Sequence, residues 1–375
     1  MSRLRYLEAL RWIYRLQALL RWRNADVKAM ERERARFYDW MWRSACAQLG
    51  GSAESLGDDL LRLKIGVTET RVWANFTPID DPVTLLVARN KPVAYRLLSE
   101  AHLPIPRHLP FSLASLDKAA HFLERLEKSC VVKPARDTGG GLGVTTGIIR
   151  QRELLRAAAF ASGYCRDLVI EEHVAGNCYR LLYLDGVLLD AIVRHPPSVR
   201  GDGRSTIGEL VQRENLRRLK TGFRACQFLL RIDGDMRGTL AKQGLSLRSV
   251  PALDAQVVVK NVVNENAAEE NETVTDRLCK EVIASGSHAA AAVGVRLAGV
   301  DMMTTDPILP LEESGGRIME VNATPGLYYH YFKADRPVSV AETVLAALCA
   351  NDSPPPSEHI LSIRGFRQVS CASQP

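Results

Sequence analysis

The stretch CVVKPARDTGGGLGVTTG, from Cys130 to Gly147, constrains this chain more than any other. A short apolar run ends in Lys133-Pro134, and Gly139, Gly140, Gly141, Gly143 and Gly147 then fall within nine positions. Glycine loses more conformational freedom on folding than any other residue, so such a cluster marks a backbone that bends tightly or approaches a ligand closely. A dinucleotide loop needs G-x-G-x-x-G opening a helix. Here the spacing differs, and the VTTGII after Gly143 prefers strand. A P-loop carries its lysine after the glycines, whereas Lys133 precedes them. A strand bearing lysine, a glycine loop and a second strand describe a β-hairpin lid. Its N–H groups can close over phosphates while Lys133 supplies a point charge. The plain alternative is a flexible surface hairpin.

A phosphate loop calls for a divalent cation. The candidates lie in AGVDMMTTDPILPLEESGGRIMEVNATPG. Asp301 sits inside an apolar strand, and Glu320 and Asn322 are two apart on the next, so they share one face. A turn between the strands brings Asp301 to the same patch. Carboxylates inside apolar strands are costly unless paired or metal-bound, and two acids with an amide oxygen suit Mg²⁺. The competing reading pairs Asp301 and Glu320 with arginines.

The rest of the chain reads as mixed helix and strand. Helices are expected over 2–49, ended by Gly50-Gly51, with four of the five tryptophans (Trp12, Trp22, Trp40, Trp42) in this arm. A small strand-rich section over 60–88 includes VTLLVA. Further helices are expected over 115–128, 152–162, 274–294 and 341–349. Strands are expected at LVIEEHV, at RLLYLDGVLLDAIVRH with an Asp185-Gly186 turn, and at LAGVDMM and RIMEVNA. Residues 199–260 read as irregular, and NDSPPPSE opens a loose tail.

The formal charge of +6 resides in residues 1–50, where eleven Lys/Arg meet five Asp/Glu; the remaining 325 residues are neutral. That argues against a nucleic-acid-binding core, which carries its own basic surface. The basic aromatic arm packs on the body or a twin subunit, or touches a membrane surface. Eight scattered cysteines without C-x-x-C spacing fit a reducing, cytoplasmic setting rather than a zinc site or disulfide scaffold.

At this point the sequence resembles the ATP-grasp carboxylate–amine ligases, and most of all the ATP-grasp part of the cyanophycin synthetases. The matching phrases are NKPVAYRLLSEAHLPIP, VVKPARDTGGGLGV, VIEEHVAGNCYRLLYLDG, VRGDGRSTIGELV, KQGLSLRSVP and GVDMMTTDPILPL…IMEVNATPGLYYH, spanning roughly 78–332. The resemblance implies an α+β ATP-grasp fold, with two lobes holding ATP between antiparallel sheets. Its divisions are an arm (1–50), a small α/β segment (51–88), a first lobe with the lid (89–170), a second lobe with the metal site (171–350) and a tail (351–375). By the resemblance Lys91 and Lys133 hold the α- and β-phosphates, beside Gly139, Gly140, Gly141 and Gly143. Glu171, Glu172 and Val174 line the adenine, and Arg194 meets the γ-phosphate or acyl phosphate. Arg180 meets a substrate carboxylate or phosphate, and Asp301, Glu320 and Asn322 bind two Mg²⁺, with Mn²⁺ as a substitute.

The resemblance further implies a homo-oligomer that activates a small acid as an acyl phosphate and couples it to an amine. Phosphotransfer to a small molecule, or a binding protein with a worn ATP site, are the other readings. Cys178 stands where an acid usually bonds the ribose. NENAAEENETVTD, with Glu265, Glu269, Glu270 and Glu272, replaces a Gly-Gly segment and reads as a solvated loop. The Mur-ligase-like half of cyanophycin synthetase has no counterpart here, so polymer synthesis by the two-ligase route is not expected.

Overall fold

The computed structural model of the chain describes residues 3–21, 24–136, 138 and 140–351. Trp22, Gly139 and the tail beyond residue 351 lie outside the described residues. The chain opens with α1 (Arg3–Arg21) and α2 (Ala25–Gln48), α2 being capped by the Asn24 side chain and followed by Gly50 at a φ of 70°. The strands β1 (Ser52–Gly57), β2 (Leu60–Ile65) and β3 (Thr68–Trp73) form an antiparallel meander. Next comes α3 (Pro82–Ala88), where the sequence reading placed a strand-rich section. VTLLVA is helical because Asp81 accepts from the Val83 and Thr84 amides at 2.8 and 3.1 Å while Pro82 starts the first turn.

The first large sheet follows α4 (Lys91–Glu100). It contains β4 (His108–Phe111), then, after α5 (Leu116–Leu126), β5 (Cys130–Pro134) and β6 (Thr145–Ile148), and, after α6 (Gln151–Ser162), β7 (Leu168–Glu172). The spatial order is β4-β7-β5-β6, all antiparallel. Helices α5 and α6 cover its back through Leu123, Leu154, Ala158 and Ile170. Helix α1 joins the same core. Its Leu7 is buried there, its Arg11 donates to the Ser162 carbonyl at 3.0 Å, and Tyr14 packs edge-on against Phe160.

The second sheet begins with β8 (Asn177–Leu184) and β9 (Val187–Arg194), joined by Asp185-Gly186 at φ values of 50° and 78°. Residues 199–260, read above as irregular, are in fact built. They hold β10 (Ser198–Arg200), α7 (Ile207–Thr221), α8 (Gly234–Lys242) and β11 (Gln256–Val258), with their own apolar core of Ile207, Leu210, Val211, Met236 and Leu240. Thr206 and Glu209 cap α7 reciprocally, the Thr206 amide donating to Glu209 at 2.8 Å. The chain continues through β12 (Asn271–Thr273), α9 (Lys280–Val293), β13 (Leu297–Thr304), β14 (Arg317–Asn322), α10 (Tyr328–Tyr331) and α11 (Val340–Asn351). The second sheet has the order β12-β9-β8-β13-β14.

Helices α4 and α9 pack on one face of this sheet through Tyr95, Leu98, Ala290 and Val300. Helix α2 belongs to a different core from α1. Phe37, Met41, Trp42 and Cys46 are buried with β2, β3, α10 and α11. The basic arm is thus two helices packed on two different parts of the body. Among the described residues no helix is long and apolar enough to cross a membrane.

Candidate functional site

Strand register collects the site. Across β8–β9, Cys178 faces Arg194; across β8–β13, Arg180 faces Asp301 and Cys178 faces Met303; across β13–β14, Asp301 faces Glu320. Paired residues point to the same side of a sheet, as do residues two apart on one strand. Arg194, Cys178, Arg180, Asp301, Met303, Glu320 and Asn322 therefore form one surface. The other sheet contributes Val131 and Lys133, two apart on β5, and Glu171, the partner of Val131. The two surfaces bound a cavity of ≈ 670 Å³, with Gly140, Gly141, Val174 and Lys91 also in its wall.

The charges in this cavity are interlocked. Lys133, only 7% exposed, reaches Glu171 at 2.7 Å and the Tyr95 hydroxyl at 3.0 Å. Tyr95 donates to Glu171 at 2.8 Å. Lys91 pairs with Glu320 at 2.9 Å, and Arg180 grips both oxygens of Asp301 at 2.6 and 2.5 Å. Burial works to raise the Glu320 carboxyl, but Lys91, Lys133 and Arg180 outweigh it, and Glu320 is held below the ordinary carboxylate range. Burial likewise opposes the charge of Lys91, and Glu320 overrides it to leave the ammonium above its usual value. The Cys178 thiol, pushed up to about 11 by burial with Asp301 beside it, stays protonated at neutral pH.

Not every residue named from the sequence lines this cavity. Glu172 points away: its carboxylate accepts from the Arg107 amide at 3.0 Å and side chain at 3.2 Å. Gly143, at a φ of 77° in the hairpin turn, is packed against the chain instead: a Cβ there would come within 2.8 Å of Pro134 and 3.0 Å of Tyr164. The pairing of Asp301 and Glu320 with protein cations, the competing reading above, is also present, with Arg180 and Lys91 as the cations. Arg180 is thereby engaged with Asp301 rather than turned outward. Arg194, 2% exposed, lies 4.5 Å from the Tyr329 ring centroid and has a buried Nε without a hydrogen-bond partner.

The acidic loop also departs from the solvated reading. Glu265 is 1% exposed and pairs with Arg231 and Lys260, and Glu270 accepts from Ser198 and the Ala267 amide. Only Glu269 and Glu272 make surface pairs, with Arg217 and Arg277. Through Glu265 the loop holds the glycine hairpin. Arg231, fixed by Glu265, donates to the Gly140 carbonyl at 3.0 Å, and Asn261 reaches Thr146 at 3.3 Å. The sequence reading missed Tyr95, which lies four residues after Lys91 on α4 and so shares its face. It also missed Arg34, Asn75 and Gln227, which line the cavity from distant segments.

Among the described residues no three His, Cys, Asp or Glu groups converge on a point. The candidate cation site is instead two carboxylates and an amide. Asn322 Nδ2 lies 3.4 Å from Asp301, and Glu320 is kept ionised, a hard oxygen set that fits Mg²⁺.

Two lobes of antiparallel sheet closing on a cavity under a glycine hairpin make the ATP-grasp fold. The crystal structure of a bifunctional glutathione synthetase from Pasteurella multocida shares this fold with a TM-score of 0.52 at 24% identity, over 82% of this chain and 44% of that one. In sequence the chain is similar to the cyanophycin synthetase of Trichormus variabilis, 28% identical over 331 residues, which is 83% of this chain and 36% of that protein. It is also 30% identical over 270 residues to the bifunctional glutathione biosynthesis protein of Enterococcus faecalis, 69% of this chain and 35% of that protein. The chain thus spans about a third of the length of the curated relatives it matches. No family model matches it.

Proposed function

We propose that this chain is an ATP-dependent carboxylate–amine ligase. The observation that carries the reading is the cavity between the two sheets, where Lys91 and Lys133 face Asp301, Glu320 and Asn322 beneath the Gly140-Gly141 turn. In this reading Lys91 and Lys133 neutralise the nucleotide phosphates, and Glu171 with Tyr95 aims the Lys133 ammonium. Val174 and the backbone around Glu171 border the base. Asp301, Glu320 and Asn322 hold magnesium, which when bound supplies charge neutralisation and orientation of the phosphates.

The acid's carboxylate oxygen attacks the γ-phosphorus, and ADP leaves with the bridging oxygen, giving an acyl phosphate. Water would hydrolyse that intermediate, and the hairpin latched by Arg231 excludes it. The amine then attacks the acyl carbon, loses a proton, and expels inorganic phosphate to leave an amide. In this reading Arg194, whose guanidinium donates to the Val263 carbonyl at 3.2 Å and keeps an unpartnered Nε, stabilises the negative oxygen during both transfers. Cys178 cannot bond the ribose hydroxyls as an acid does.

The test is coupled ADP release with Mg-ATP across a matrix of amino acids, singly and in pairs, with mass detection. A product mass equal to the sum of two compounds minus water supports the ligase. A single compound gaining phosphate replaces it with a phosphotransferase. No ATP binding in a parallel titration would overturn both.

A further inference from the structure

The cavity extends beyond the nucleotide and cation residues to a second end, walled by the N-terminal helix α2. Arg34 of α2 lines it, together with Tyr38, Asn75, Gln227, Thr324 and Gly326. This end adjoins the cation-binding edge through Thr324, two residues after Asn322. Arg34 donates to Asn75 Oδ1 at 3.4 Å, and Asn75 in turn donates to the Thr324 carbonyl at 2.7 Å, two residues after Asn322. Asn75 thus joins the helix to the chain that carries the metal-ligand candidate, and it aims the guanidinium.

Two donors at this end lack full partners. Arg34 makes no ion pair with a carboxylate among the described residues, whereas Asp301, Glu320 and Glu171 in the same cavity are each matched by a cation. Gln227 is 8% exposed, and its buried Nε2 has no hydrogen-bond partner. A buried amide N–H left without a partner is costly and calls for an explanation. Arg34 and Gln227 line the same end of the cavity with Tyr38, whose hydroxyl feels both the Arg34 charge and the Gln227 amide. Gly326 borders the same groups: a Cβ placed there would meet Gln227 Oε1 at 3.7 Å and the Tyr38 oxygen at 3.9 Å.

We propose that Arg34 and Gln227, with Asn75 positioning Arg34, receive a carboxylate of the amine substrate, so that this substrate is an α-amino acid or a peptide with a free C-terminus and α2 is part of the specificity pocket. One guanidinium beside one amide N–H matches the single charge and paired oxygens of a carboxylate. The inference rests on the ligase reading and goes beyond it by naming what the amine must carry.

The test begins with wild-type protein, Mg-ATP, a panel of carboxylic acids and hydroxylamine, an amine with no carboxylate. Hydroxamate formation reports acid activation without this pocket. With the acid so identified, amino acids and their α-carboxamides are compared as amine partners. Wild-type protein is expected to prefer the free carboxylate by about 10- to 100-fold in kcat/KM. Arg34→Met should collapse that preference through KM for the amino acid, and Arg34→Lys should restore part of it, with thermal melts confirming that both variants fold. Equal use of amino acid and carboxamide by wild-type protein overturns the proposal. So does an equal loss for both partners in Arg34→Met. If no acid yields hydroxamate, the ligase reading itself falls, and this inference with it.

Discussion

At the scale of single residues, the site is a set of buried charges paired with one another. Glu320 is the sharpest case, since Lys91, Lys133 and Arg180 hold its carboxyl low against burial. Glu320→Ala is expected to reduce turnover at saturating Mg²⁺ by at least about 100-fold, the scale of losing one preorganised electrostatic contact. Near-normal steady-state turnover in that variant would remove Glu320 from the cation site. Cys178 offers a second test. It lies among Arg180, Arg194 and Asp301 on the cavity face. Cys178→Asp is expected to tighten ATP binding by supplying the missing carboxylate for the ribose. An unchanged Kd by titration calorimetry would mean that another group already makes that contact.

Among the elements, the glycine hairpin and the segment that latches it are where the proposed function is tested. Gly141 sits at a φ of 68°, and a Cβ there would come within 2.5 Å of the Val262 side chain. That conformation costs a non-glycine residue roughly 1–2 kcal/mol, and the clash adds a steric block to closure. Gly141→Ala is therefore expected to lower kcat about tenfold and to lower the melting temperature by a few degrees. Val262→Ala in the same chain should recover part of the loss by making room; no recovery would show that backbone strain alone is at fault. Arg231→Ala should leave the hairpin cut faster by a protease in the absence of nucleotide, since the bond to the Gly140 carbonyl is lost.

Over the whole molecule, buried thiols set an alkaline limit. Burial pushes Cys130, Cys178 and Cys226 up to about 11 from an ordinary value of 9.0. Between those values the unfolded chain releases thiol protons that the folded chain keeps. Stability is therefore full below pH 9 and falls as pH rises toward 11. Urea midpoints measured from pH 8 to 11 should decline over that window, and a flat profile would contradict the thiol burial.

The alternation of residues along strands decided much of this protein from the sequence alone. Lys133 before a glycine run predicted a hairpin lid, and Glu-x-Asn on one strand near an isolated Asp predicted a carboxylate patch. Both are local: period two and glycine's φ freedom are properties of a few consecutive residues. The helix at VTLLVA was legible in principle from Asp81-Pro82, but its apolar composition suited a strand equally well. Much of the fold of 199–260 was hidden because its two strands have three residues each and α8 nine, too short to show a period; α7, 15 residues long with the Thr206–Glu209 capping box, was legible in principle. Tertiary structure alone decided which cation meets which acid. Nothing in the sequence places Arg180 opposite Asp301, Glu265 beneath Arg231, or Arg34 of the first 50 residues against Asn75, because those pairs are set by strand register and by helices packing across long stretches of chain.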